Sequence, residues 1–183
     1  GYVNNWRGSC RTTVVDDYLQ YVPLASVYGL SLLGADAKHN YVDRTLEVGV
    51  AAVALVGIIG GAKCLIQKER PDGSDFDSFP SGHSAKAFVG AELVRIEYGE
   101  DHPWLAVGAY AIATATGALR IYNNRHWFSD VIAGAGIGIL SARIGYWLLP
   151  HTKRMMHRLT GCEIFVSPTA TTTGAALNTV VRF

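Results

Sequence analysis

Five apolar stretches, separated by polar connections, organise the chain. Tyr18–Ala35 runs eighteen residues without a charged side chain, although Gln20 and Pro23 interrupt its start. Val48–Ala62 adds fifteen uncharged residues rich in Val, Ala, Gly and Ile, and closes at Lys63. In Ser84–Tyr98 apolar residues recur at helical spacing, with Lys86, Glu92, Arg95 and Glu97 among them. Trp104–Tyr122 and Trp127–Leu149 are two further stretches dominated by Ala, Gly and Ile. Recurrence at three and four residues marks helix faces, and strand-like alternation is nearly absent before the tail. The pattern predicts an all-α, compact bundle of five or more helices over residues 1–150. After Pro150, HTKRMMHR reads as a short basic surface helix or the end of one. The Thr- and Val-rich stretch from Glu163 onward predicts either a short β-hairpin or a flexible tail. Residues 151–183 are therefore expected as a C-terminal extension packed on the same domain.

A membrane-crossing helix needs about 20 predominantly apolar residues. Only Tyr18–Ala35 approaches that length, and the four charges of Ser84–Tyr98 would be costly in lipid. The pattern therefore favours a packed bundle resting on a membrane over one that spans it. The chain has 183 residues, enough for one domain with a substantial core. Its formal charge of +1 provides no long-range field for nucleic acid. Cys10, Cys64 and Cys162 are too few and too scattered for a disulfide scaffold or a zinc site. They read as three unpaired small hydrophobes, or as a Cys10–Cys162 staple that would require an oxidising compartment. The chain opens on Gly1 rather than Met, with no basic stretch leading into a short apolar one, and reads as the start of a mature or trimmed chain whose targeting segment would lie out of view.

Glycine-spaced AGAGIGIL follows no strand, so small residues that let two helices approach closely explain it better than a dinucleotide loop. DGSDFD lacks the distal Glu of a calcium loop and reads as a solvated connection.

Only 17% of residues are charged, yet three segments place charge where the apolar pattern does not call for it. In KCLIQKERP, Lys63 and Arg70 are seven apart, a spacing that puts them on one face of a helix ended by Pro71. In FPSGHS, Pro80, Ser81 and Gly82 form a turn and a helix begins near His83. In ALRIYNNRHWFSDV, Arg120 closes one helix, and His126 and Asp130 lie four apart on the next. Each segment alone suits a solvated helix end or a cap. Together they suit a phosphate. Lys63, Arg70 and Arg120 supply cations, the arginines as bidentate forks. Ser81 and Gly82 offer amides at a helix N-terminus. His126, its tautomer held by Asp130, suits a nucleophile or base, and His83 suits an acid for a leaving oxygen.

Lys63-x6-Arg70-Pro71, Pro80-Ser81-Gly82-His83 and Arg120-x5-His126-x3-Asp130 resemble, in order and internal spacing, the three motifs of the type 2 phosphatidic acid phosphatase and vanadium haloperoxidase superfamily. The resemblance implies a helical bundle and metal-independent hydrolysis of phosphate monoesters through a phosphohistidine. It assigns His126 as nucleophile, Asp130 as its orienting partner and His83 as general acid. Lys63, Arg70, Ser81, Gly82 and Arg120 become the phosphate cradle, with no metal ligand and no cofactor, and vanadate is expected as an inhibitor. One position departs: the family usually has Ser before the third-motif arginine, and here it is Leu119. Only eight residues, Asp72 to Phe79, separate the first two motifs, so no large cap covers the pocket.

The expected activity is that of a phosphatase of the bacterial cell envelope, acting on a lipid phosphate. Its active site would face the periplasm and its partner would be a membrane or membrane surface; integral anchoring is the alternative to surface association. A nonspecific acid phosphatase for small soluble esters is the alternative activity. A vanadium haloperoxidase fits less well at this length, and a non-catalytic envelope bundle less well with His83, His126 and Asp130 all present.

Overall fold

The computed structural model describes residues 13–161, 163–171 and 174–182. Cys10 and Cys162 lie outside the described residues, while Cys64 is a free, exposed thiol. Six helices follow in order: α1 (Val15–Leu19), α2 (Val22–Leu32), α3 (Tyr41–Leu65), α4 (Gly82–Tyr98), α5 (Pro103–Tyr122) and α6 (Phe128–Thr160). An antiparallel hairpin closes the described chain, with β1 (Glu163–Thr171) paired to β2 (Gly174–Arg182) from Glu163 opposite Arg182 to Thr171 opposite Gly174. The bundle is all-α as expected, and the tail takes the hairpin alternative.

α4 is the central helix. It packs on α2, α5 and α6, and most of its residues are buried, including Glu92 and Glu97. The two acidic charges among the four that looked costly in lipid, Glu92 and Glu97, are therefore buried inside the bundle, while Lys86 is exposed. Glu92 accepts two hydrogen bonds from Arg95 at 2.8 Å each, takes the Tyr110 hydroxyl, and pairs with Arg143. One buried carboxylate thus ties α4 to α5 and α6, the condition under which a buried charge is tolerated.

Glycine sets how closely α6 approaches its neighbours. A Cβ at Gly134 would run into the Ser81 carbonyl and one at Gly138 into that of Ala85. A Cβ at Gly145 would meet the Glu47 carbonyl on α3. Gly134 and Gly138 belong to AGAGIGIL, so that stretch works by close helix packing.

Three boundaries differ from the apolar pattern. Tyr18–Ala35 is not one helix: the chain turns at Gln20–Tyr21, and α2 restarts with Pro23 in its first turn, where a missing N–H does no harm. α3 begins well before Val48, at Asn40, whose side chain accepts the Asp43 N–H at 2.9 Å. Asp43, Arg44 and Glu47 in its first turns are buried rather than solvated, which is why charge conceals the helix start. α6 continues through Pro150 and takes in HTKRMMHR as its end. As a result α3, α5 and α6 are each long and apolar enough to cross a membrane, which corrects the expectation that only Tyr18–Ala35 comes near that length. In α3 only 11% of the apolar window is buried, and Val53 and Val56 point outward. At about 1.5 Å per residue its 25 residues extend roughly 37 Å, more than a bilayer's ~30 Å hydrocarbon core.

Candidate active site

The end of α3, the 66–81 connection, the start of α4 and the α5–α6 turn gather the charged residues at one end of the bundle. The connection is held both within itself and to the α5–α6 turn. Lys68 bridges to Asp77, and the Ser78 N–H reaches the Lys68 carbonyl at 3.0 Å. The Trp127 indole N–H donates to the Glu69 carbonyl at 2.9 Å.

Helix α3 ends at Leu65, not at Pro71, so Lys63 and Arg70 do not share a helical face. The motif reaches the site as a helix end followed by an irregular loop. Lys63 Nζ donates to the Asp77 carbonyl at 3.0 Å, and Arg70 Nε lies 2.6 Å from Asp75 Oδ1.

Ser81 caps α4, its hydroxyl accepting from the Ser84 N–H. Its own N–H donates to the Asp130 carbonyl at 3.0 Å. The expected anion contact through the Ser81 amide is therefore corrected: that group joins α4 to α6. The first-turn amides of Gly82 and His83 remain as the helix-end donors.

His126 is also placed differently from the sequence expectation. α6 starts at Phe128, so His126 stands in the turn before it and does not share its helix with Asp130. The imidazole is 3% exposed, and Nδ1 donates to the Ser78 carbonyl at 2.8 Å. A carbonyl accepts only, so Nδ1 carries the proton and Nε2 keeps its lone pair. Among the described residues, Asp130 makes no hydrogen bond to the ring. Fully buried, it accepts from the Ser78 hydroxyl, from Lys68 Nζ at 2.6 Å and from the Trp127 N–H at 3.0 Å. Asp130 thus fixes the residue that fixes His126. The correction follows from backbone shape: a carboxylate in the first turn of α6 turns back to cap that helix.

Arg120, in the last turn of α5, donates through Nη1 to Asp16 Oδ2 at 2.7 Å, leaving Nη2 for a ligand. Asn123 also donates to Asp16, at 3.0 Å. On the same short helix Asp17 lies 3.0 Å from His83 Nε2 and 3.7 Å from Arg120 Nη1. An anion therefore already bridges the proposed acid and a proposed phosphate cation. Leu119 beside Arg120 is partly buried.

Sequence reasoning missed Asp16, Asp17, Lys68 and Ser78. Lys68 sits inside the first motif's variable spacing and Ser78 just ahead of the second, so their charge or hydroxyl was visible but their partners were not. The Asp16–Arg120 contact spans 104 residues, and no local pattern marks it.

Burial drives the His126 pKa down to about 4; Arg120 and Arg70 push the same way, against the Ser78 hydrogen bond. Burial, then the Arg120 charge, lowers His83 below its usual 6.5, while the hydrogen bond to Asp17 opposes the drop. If His126 attacks as the neutral base and His83 donates as the cation, kcat/KM rises with pH through about 4 and falls again before pH 6.5. The bell should peak between those limits, and Asp17→Asn should move its alkaline limb further toward acid. A pH–rate series with an optimum above pH 7 would contradict these assignments.

A cavity of about 650 Å³ lies elsewhere. It opens at the far end of the bundle between the start of α3 and the end of α6, lined by Asp43, Lys153, His157 and Arg158 among others.

Residues 45–154 match the PAP2 superfamily. Over 137 residues, 74% of this chain, the sequence is 39% identical to the lipid A 1-phosphatase of Porphyromonas gingivalis. That match spans only 31% of the relative's own length. The crystal structure of Aquifex aeolicus LpxE superposes with a TM-score of 0.58 at 21% identity, covering 79% of this chain and 90% of that one, and so shares the fold. With the family match covering well over half the chain and running across all three charged segments, the chain belongs to the PAP2 superfamily.

Proposed function

We propose that the protein is a phosphatase of the bacterial envelope that hydrolyses a lipid phosphate monoester without a metal, and that lipid A 1-phosphate is its substrate. The observation that carries this is His126, whose Nδ1–H is held by Ser78 so that a neutral Nε2 is available beside Arg120 and Arg70. Nε2 attacks phosphorus, the bond to the lipid oxygen breaks, and His83 gives that oxygen a proton. Arg120, Arg70, Lys63 and the Gly82 and His83 amides neutralise the charge spread over the equatorial oxygens. The incoming phosphate takes the place of the Asp17 carboxylate between His83 and Arg120. Water then attacks the phosphohistidine, with His83 as base.

The lipid class is supported by the surroundings of the site. Tyr18, Tyr21, Phe76, Tyr122, Trp127 and Phe128 are exposed around this end, a rim suited to a headgroup boundary. The outward faces of α3, α5 and α6 lead directly to it. The relative's name gives lipid A as that protein's substrate. On this proposal the three helices cross the membrane. His151, Lys153, Arg154, His157 and Arg158 at the end of α6 mark the cytoplasmic side, and the site at the opposite end faces the periplasm.

Phosphate release from lipid A, undecaprenyl pyrophosphate, phosphatidic acid and p-nitrophenyl phosphate, in detergent and without added metal, tests the proposal. Lipid A should give the highest kcat/KM, by at least about tenfold, a margin of ~1.4 kcal/mol. Vanadate should inhibit competitively and EDTA should leave the initial rate unchanged. Equal turnover of all four would favour a nonspecific acid phosphatase, and loss of activity in EDTA restored by a divalent ion would overturn the metal-free chemistry.

A further inference from the structure

Away from the phosphate cradle, three side chains meet that this chemistry does not use. His39 lies in the turn before α3, Glu47 in the second turn of α3, and Glu97 in the last turn of α4. One ligand-type atom from each lies within 4.8 Å of the other two. Spacings of 8 and 50 residues concealed the group in the sequence.

The two carboxylates are buried, Glu47 at 1% exposure and Glu97 at 3%, whereas the His39 ring is partly open and offers a way in. Glu97 is partnered: one oxygen faces His39 Nδ1 at 2.7 Å and the other accepts the His39 N–H at 3.0 Å. Neither oxygen of Glu47 has a hydrogen-bond partner among the described residues. The cation at hand is Arg44, whose Nε is 3.9 Å from Glu97. Its Nη1 is already committed to the Val27 carbonyl, Ser31 and the Tyr98 hydroxyl. Lys38 is drawn to Glu100 at the surface. A buried carboxyl group with no partner is costly, and a second carboxyl group faces it.

We propose that His39, Glu47 and Glu97 bind a divalent cation that ties the start of α3 to the end of α4. One imidazole and two carboxylates suit Zn²⁺ or Mn²⁺, whereas Ca²⁺ requires six to eight oxygens. Glu47 is 16 residues from Lys63 along α3, and Glu97 is 14 from His83 along α4. At ~1.5 Å per residue the ion sits about 21–24 Å from the phosphate site, so it is structural and takes no part in the reaction.

The test uses the full chain in detergent, stripped with chelator and titrated with ZnCl₂ or MnCl₂ by calorimetry and by thermal melting. One of these ions should bind at one per chain and raise the melting temperature. His39→Ala and Glu47→Gln should each weaken it by about 10–100-fold, while the initial rate of phosphate release stays the same with and without ion. The wild-type titration stands by itself if a variant fails to fold, and His39, at the rim, is the milder change. No binding tighter than about 1 mM, or equal binding in wild type and the variants, would overturn the site. Two carboxyls sharing a proton would then account for the pair. Failure here leaves the phosphatase proposal untouched, because no step of the reaction runs through this ion.

Discussion

His126→Ala lowers phosphate release by at least about 10⁴-fold, on the proposed mechanism, because the nitrogen that takes the phosphoryl group is removed. Removing the nucleophile of a comparable hydrolytic constellation costs on the order of 10⁶ in kcat, and the residue of activity comes from binding and charge stabilisation alone. The loss should fall on kcat, with KM little changed, since Arg120, Arg70 and Lys63 still hold the phosphate. Structurally the cost is smaller. The His126 ring donates to the Ser78 carbonyl, and truncation leaves that buried carbonyl without this donor, worth about 1–3 kcal/mol. A melting curve beside the kinetics separates the two effects. Activity within about tenfold of wild type would remove His126 from the chemistry.

Asp130→Asn should be the second most damaging change, and through a different route. Asp130 gathers Lys68, Ser78 and the Trp127 N–H around one carboxylate. Breaking a buried ion pair by removing one partner costs about 3–5 kcal/mol, and Lys68, about a third open to water, brings the figure toward ~2–3. Asp130 acts on His126 by holding Ser78 and the Trp127 N–H rather than by a hydrogen bond to the ring, so the expected fall in kcat is about 10–100-fold, the range for groups that orient a reacting residue. Ser78→Ala keeps the carbonyl that holds Nδ1 and should cost less than Asp130→Asn. If Asp130→Asn instead cost as much as His126→Ala while Ser78→Ala was silent, Asp130 would contact the ring directly during turnover.

The contrast between Asp130 and Ser78 shows what could be seen from the residues alone. Charges set into apolar stretches revealed Lys63, Arg70, His83, Arg120, His126 and Asp130, because lipid-like surroundings make every charge conspicuous. Helical periodicity located α4, α5 and the body of α6. What escaped has a common cause. Asp43, Arg44 and Glu47 look like a polar lead-in but form the buried first turns of α3, where Asp43 meets Lys153 and Arg44 faces Glu97. Ser78 acts through its carbonyl, which no side-chain pattern reports. Asp16 and Asp17 reach the site from the opposite end of the sequence, where only the packing of α1 on α5 and α4 brings them in. The helices long and apolar enough to cross a membrane were underestimated for the same reason: α3 hides its charges inside and turns its apolar side chains outward.

On the proposed mechanism a phosphoryl group is carried on His126 between the two steps. Lipid A labelled with ³²P at the 1-phosphate, mixed with enzyme for a fraction of a turnover and quenched in alkali, should leave label on the chain. The label should be stable to base, labile to acid, and confined to the peptide containing His126. Label that is lost in base, or that maps to Ser78, Ser81 or an aspartate, would contradict the account, as would continued turnover with no labelled protein at any quench time.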